Sequence, residues 1–265
     1  MTSKPFEMNK SYYLKAKSYS TSSKIIQKNV ISFERKELTS VDQKKIDCFS
    51  SHWLLAHSPE LPRGLFIRNG NKYTELKSKD YIFISCYAIV EWYFTFSKEI
   101  SWRGYISPVP LPKTLCGKTM IISTESQPDF QSLEDICCFL EYHQNKKTTL
   151  QIEEQKKISV LAKIIKQHIN ETYSSGESLN TLVEKLRVSR MTFSSCFKKS
   201  YGLTPIQYQH RLRIFESLRL INTGVSVTDA LFAVGFSDPG QYIDHFKNLL
   251  ETNPRNYSPK NLLRP

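Results

Sequence analysis

The sequence predicts an α+β chain. A strand-rich, barrel-like domain is expected over residues 1–150, and an all-α domain over 151–265 in which two similar helical pairs flank one longer helix. Three observations predict it. β-branched and aromatic residues, broken by turn residues, fill the first 126 positions. The apolar spacing then changes to a period near 3.6. Beyond residue 158 one succession of apolar stripe, break and cap occurs twice, and an internal repeat of this kind constrains a fold more than any single element does.

In chain order, strands are expected around 30–33, 64–68 and 119–123. Asn69-Gly70 is a hairpin signal, because both residues accept the left-handed backbone of a tight turn. The largely apolar stretch 81–96 reads either as a buried strand pair or as a helix. Its aromatics, Tyr81, Phe83, Tyr87, Trp92, Phe94 and Phe96, show partial period-two spacing. Strand core is the first reading of them, and the wall of a small-molecule pocket the second. A helix is expected near 132–143, where Leu133, Ile136, Cys137 and Leu140 share one stripe. That stripe packs on its own domain in the first reading and forms a dimer seam in the second. The polar stretch 144–155 reads as a connection, with the domain boundary near 150.

A helix through Ile158, Leu161, Ala162, Ile165 and Ile169 follows, ending at Ser174-Ser175-Gly176. Then comes the repeat. Leu179, Leu182, Val183 and Leu186 form an i, i+3, i+4, i+7 stripe, and so do Val227, Ala230, Leu231 and Val234. Each is followed by a break, Arg187-Val188-Ser189 or Gly235-Phe236-Ser237. A second helix then starts at a capping residue, Ser189 or Asp238, the latter with Pro239 at the first helical position. Phe193, Cys196 and Phe197, and likewise Tyr242, Phe246 and Leu249, turn the apolar face of each second helix inward and leave the other face free. Between the units, Thr204-Pro205-Ile206-Gln207 combines an N-cap, a proline at N1 and a capping-box glutamine. The helix it opens runs to about Asn222-Thr223-Gly224. Some 18 residues at about 1.5 Å each make a rod of about 27 Å, able to hold two helices near the roughly 34 Å repeat of the major groove. Helix, tight turn, helix, twice, is a pair of helix-turn-helix units.

Charge agrees with a polyanionic partner. The net charge is +12, and residues 155–265 hold 16 Lys and Arg against 8 Asp and Glu, an excess of 8. The six cysteines, Cys48, Cys86, Cys116, Cys137, Cys138 and Cys196, include no C-x-x-C pair and read as reduced thiols. With the scattered histidines they offer no metal spacing, so neither metal nor cofactor is expected. No apolar run approaches the roughly 18 residues of a membrane span, and Lys4, Lys10, Lys15 and Lys17 interrupt a polar start. A cytoplasmic protein without membrane contact is the expectation.

About residues 156–258 closely resemble the AraC/XylS family of bacterial transcription regulators. The most specific part is Ala233-Val234-Gly235-Phe236-Ser237-Asp238, followed by Phe246-Lys247, Pro254 and Tyr257. The resemblance implies a sequence-specific regulator of transcription and not an enzyme, most often an activator that contacts RNA polymerase, with some relatives controlling virulence genes. In many relatives the N-terminal region is a small β-barrel that binds an effector or forms a homodimer, and other relatives answer to a protein partner. Base contact is implied for Arg190, Met191, Ser194 and Ser195 of the first unit, and for Pro239, Gly240, Gln241, Asp244 and His245 of the second.

The chemistry favours the first set. Arg190 can donate two hydrogen bonds to guanine, Met191 can meet a thymine methyl, and the serines can donate or accept, whereas Asp244 would repel phosphate. Lys198, Lys199 and Lys247 suit phosphates. Departures from the family pattern mark where local geometry is expected to shift. Arg187 and Glu251 stand where glycine is common, Val183 where alanine is, and the usual Ile-Ala reads Ala230-Leu231. Two other functions fit a domain of this shape. One is a repressor or anti-activator. The other is a DNA-repair alkyltransferase, which would need a zinc-held thiolate that these cysteine spacings do not offer.

Overall fold

The computed structural model describes residues 11–27, 29–154 and 158–257. Lys4, Lys10, Gln155 and both chain ends lie outside the described residues. Described residues 11–153 form one compact unit and 154–257 a second.

The first unit holds twelve strands: β1 (Ser11–Lys15), β2 (Tyr19–Gln27), β3 (Val30–Leu38), β4 (Gln43–Asp47), β5 (Trp53–His57), β6 (Leu65–Asn69), β7 (Lys72–Glu75), β8 (Asp80–Ile84), β9 (Val90–Phe94), β10 (Glu99–Ser107), β11 (Thr119–Ser123) and β12 (Thr149–Ile152). They make two antiparallel sheets, one of eight strands in the order β1-β2-β3-β10-β5-β8-β11-β12, the other β4-β9-β6-β7. Helix α1 (Leu133–His143) starts at a capping box between Ser132 and Asp135.

The large sheet is covered on both faces. Leu55, Tyr81, Phe83, Met120 and Ile122 pack with Ile136 and Leu140 of α1. Leu54, Ala56, Ile82, Ile84 and Ile121, from the alternate positions, pack with Leu65, Ile67, Val90, Trp92 and Phe94 of the small sheet. All five residues of β5 and of β8 are therefore buried. A strand covered twice loses its polar alternation, which is why 81–96 reads ambiguously in the sequence. The stretch is a strand pair, β8 and β9, split between the two sheets. The aromatics part in the same way. Tyr81 and Phe83 belong to the core under α1, while Trp92 and Phe94, with Phe96 against them, belong to the core between the sheets, so they do not line one pocket.

The hairpin signal is realised one residue later than its first letter. Asn69 pairs with Lys72, so the loop is Gly70-Asn71, with Gly70 at φ +58°. At Gly104 of β10 a Cβ would stand 2.3 Å from the Leu55 carbonyl, so only glycine fits against β5 there. The polar stretch 144–155 is more than a connection, because Thr149–Ile152 pairs with β11 as the edge of the large sheet. The Gly70 amide donates to the Glu153 carbonyl at 2.8 Å, and the Glu153 amide to Asn69 Oδ1 at 2.9 Å, which ties this edge to the β6–β7 turn.

The second unit is helical: α2 (Val160–Thr172), α3 (Leu179–Leu186), α4 (Arg190–Tyr201), α5 (Pro205–Asn222), α6 (Val227–Ala233) and α7 (Pro239–Leu250), with a final 3-10 turn at Pro254–Tyr257. Ala162, Ile165 and Ile169 are buried on α2. The central helix α5 opens with Thr204 and Gln207 in a reciprocal capping box and Pro205 in the first turn, and runs for 18 residues. Among its inward residues, Tyr208 donates to Asn170 Oδ1 of α2 at 2.7 Å. The Ser217 and Tyr242 hydroxyls share a hydrogen bond of 3.0 Å, so the same rod is fastened both to α2 and to the second helical pair.

Candidate nucleic-acid interface

Helices α4 and α7 are counterparts of twelve residues each. Ser189 caps α4, its hydroxyl accepting from the Thr192 amide at 3.1 Å, and Asp238 caps α7, its carboxylate accepting from the Gln241 amide at 3.0 Å. Phe193, Phe197, Ser200 and Tyr201 anchor α4 inward, and Tyr242, Phe246 and Leu250 anchor α7. Cys196 and Leu249, expected in those inward stripes, are only half-buried.

The residues that end α3 and α7 explain two of the departures in sequence. Arg187, ending α3, sits at φ +51°, and Glu251, ending α7, at φ +54°. Both hold the left-handed backbone that glycine adopts without penalty. The local geometry is thus kept, and a side chain bears the strain. The second turn has its glycine, Gly235, at φ +86°.

On α4 the outward residues are Arg190, Met191, Ser195, Lys198 and Lys199, with Ser194 half-buried beside them. Met191 is 81% exposed, more than the other exposed large apolar side chains among the described residues, such as Val160 at 73%. The Ser195 hydroxyl leans back on the Thr192 carbonyl at 3.4 Å. On α7 the outward residues are Pro239, Gly240, Gln241, Asp244 and Lys247. Among the described residues, Arg190, Lys198, Lys199 and Lys247 enter no ion pair, so their charges face solvent uncompensated. α4 thus presents three cations and α7 one cation beside an acid.

His245 is the exception among the expected contacts. It is half-buried, and its ring lies 3.9 Å, centroid to centroid, from His210 of α5 and 6.3 Å from Phe236. Burial lowers the pKa of both imidazoles. That of His210 is pushed down to about 4 by burial, with His245 and Arg213 adding repulsion. The tilted His245 ring packs α7 onto α5. His210 and Arg213 are polar residues one turn apart on the linker helix, and sequence reasoning passed over both. Spacing did not single them out, because their neighbours Gln209, Arg211, Leu212 and Ile214 mix polar and apolar residues.

Residues 182–260 match the model of a family described as a helix-turn-helix domain. This region is an AraC-type helix-turn-helix domain. The AraC-type domain has relatives among curated proteins. Over 93 residues the chain is 29% identical to the transcriptional regulatory protein HptR of Staphylococcus aureus (strain NCTC 8325 / PS 47), covering 35% of this chain and 37% of that protein. Over 76 residues it is 34% identical to an uncharacterized HTH-type transcriptional regulator, YbfI, of Bacillus subtilis (strain 168), covering 29% and 28%. The chain thus spans about a third of the length of these relatives. Among solved structures, ToxT from Vibrio cholerae is similar with a TM-score of 0.48 and 14% identity, over 91% of this chain and 98% of that one. Among the described residues no cluster of three or more His, Cys, Asp or Glu side chains is placed to hold a metal ion, and no helix is long and apolar enough to cross a membrane.

Proposed function

We propose that the chain is a sequence-specific DNA-binding regulator of transcription, acting as an activator, which lays α4 and α7 into adjacent major-groove segments of promoter DNA. The observation that carries this reading is the pair of capped, equally long helices of the AraC-type domain, each anchored by aromatics on one side and open on the other, joined by a single helix of 18 residues. Arg190, Met191, Ser194 and Ser195 read bases, and Gln241 with Asp244 contributes less. Lys198, Lys199 and Lys247 hold phosphates. One chain then spans two turns of duplex without a partner subunit.

Residues 1–150 serve regulation or homodimer formation, and 151–265 bind DNA. The regulatory signal is a small-molecule or protein effector, and RNA polymerase is the partner through which activation acts. The protein works in the cytoplasm and performs no catalysis. Binding of the full chain to duplexes selected from a random-sequence library, measured against salt, tests the reading. A preferred site and a steep decline of affinity with salt are expected. A shallow slope with no preferred site rejects it. A transcription assay from the selected site then separates activation from repression.

A further inference from the structure

The linker helix carries a buried cation that touches the second helical pair and the end of α2, the helix on which the first pair packs. Arg213 of α5 is 7% exposed. Its Nε donates to the Tyr173 carbonyl at 2.5 Å, at the C-terminal end of α2, the helix that packs against α4 of the first pair. Its guanidinium carbon lies 5.5 Å from the ring centroid of Phe236, in the turn between α6 and α7 of the second pair. A Cβ on Gly235 of that turn would stand 3.1 Å from Arg213 Nη2, 3.1 Å from the Ser174 carbonyl oxygen and 3.0 Å from the Gly176 amide nitrogen. The loop that ends α2 and the turn that precedes α7 are therefore in close approach, with the guanidinium wedged between them. His210, one turn earlier on α5, closes on Phe236 from its own side at 5.4 Å.

This is a costly way to fill space. Burial lowers the pKa of Arg213, and among the described residues no carboxylate pairs with it. A carbonyl and an aromatic face compensate a buried charge only in part, and an apolar side chain of like volume would cost less. What the guanidinium supplies is direction. A planar donor fixed at one end by a carbonyl and at the other by a ring holds two elements at one angle, which a flexible apolar chain does not.

We propose that Arg213 is a positioning residue that sets the angle between the two helix-turn-helix units, and thereby the one spacing of two DNA segments that the protein accepts. It acts through α4 and α7 without itself touching DNA. The inference rests on the DNA-binding reading above.

The experiment uses the full chain and a duplex that it selects from a random-sequence library, with the two contacted segments mapped by footprinting. Two base pairs are then inserted between the segments, which turns one relative to the other by roughly 70° on a repeat of about 10 base pairs. Affinity for the original duplex is divided by affinity for the lengthened one. The wild type is expected to lose at least about tenfold on insertion, whereas Arg213→Met, which keeps the bulk and removes the donor and the charge, should lose about threefold or less. Arg213→Lys, which keeps the charge without the flat fork, should fall between. Because the ratio compares two duplexes on one protein, simple loss of stability does not move it. If Arg213→Met fails to fold, Arg213→Lys decides alone. A variant ratio equal to the wild type's overturns the role of Arg213. A wild type indifferent to the insertion overturns the idea of a fixed spacing. A wild type that selects no sequence removes the DNA-binding reading, and the inference falls with it.

Discussion

The His245 ring of α7 lies tilted against that of His210 of α5 with centroids 3.9 Å apart, so α7 is docked on the linker helix through two imidazoles whose charged forms burial disfavours. Both pKa values lie below the ordinary histidine value of 6.5, that of His210 at about 4. A group depressed in the folded state binds more protons when unfolded, so it withdraws stability as pH falls below about 6.5 and goes on doing so down to about 4. Urea midpoints recorded across that window should therefore drop with acid. Changing His210 to Gln should flatten the drop by roughly 1 kcal/mol, the full linkage value being reduced by solvent at a partly open site. Parallel wild-type and variant profiles would show that the pair does not titrate this way.

Arg190 stands exposed in the first turn of α4 and, among the described residues, enters no ion pair. Replacing it with Ala should weaken binding by roughly 1–3 kcal/mol at one base position and relax discrimination there, leaving the melting temperature within a degree or two. Binding to a panel of single-base variants of the selected site measures this. An equal loss on every duplex would reassign the side chain to phosphate.

For Lys198 and Lys199 the expectation is the reverse. Each change to Gln should lower affinity similarly on all sequences and reduce the slope of log affinity against log salt by about 1. A titration from low to moderate salt reads both slopes. Unchanged slopes would place these lysines off the DNA.

Arg187 bears a left-handed backbone at φ +51° without being glycine. Substituting Gly should relieve about 1 kcal/mol of strain, part of it offset by the greater freedom of the unfolded chain, and so raise the melting temperature slightly. The neighbouring Val188, whose amide bonds the Val183 carbonyl at 3.4 Å, offers a contrast, since Gly there should destabilise. Thermal unfolding of the two variants decides between strain and a compensated turn.

The helical half was legible because its signals are local. A cap at Ser189, Thr204 or Asp238 sits within three residues of the amide that it satisfies, and the apolar stripes of α3 and α6 follow from helical period alone. The strand-rich half was legible as strands but not as two sheets. Leu54 and Leu55 are neighbours in sequence that enter different cores, and no alternation survives to tell them apart. The pairing of β12 escaped because a four-residue edge strand, with polar residues around it, looks like a connection. Of the candidate interface, the outward cations of α4 could be read from the helix face, whereas His245 could not. Its ring is claimed by His210, 35 positions away, and contacts at that separation leave no trace in spacing. Arg213 was invisible for the same reason, its partners Tyr173 and Phe236 lying on opposite sides of it in sequence.

The pairing of Thr149–Ile152 with β11, and the two bonds from Glu153 to the β6–β7 turn, bear on how the strand-rich half survives when isolated. A fragment stopped at residue 150 would bare the backbone of Thr119 and Met120 in β11, which pair with Ile152 and Gln151, and strand the Gly70 amide, leaving a template on which a neighbouring molecule could add its own chain and seed fibres. Three or four more residues complete β12, a four-residue edge strand tied to the β6–β7 turn, and so short an edge is a poorer template.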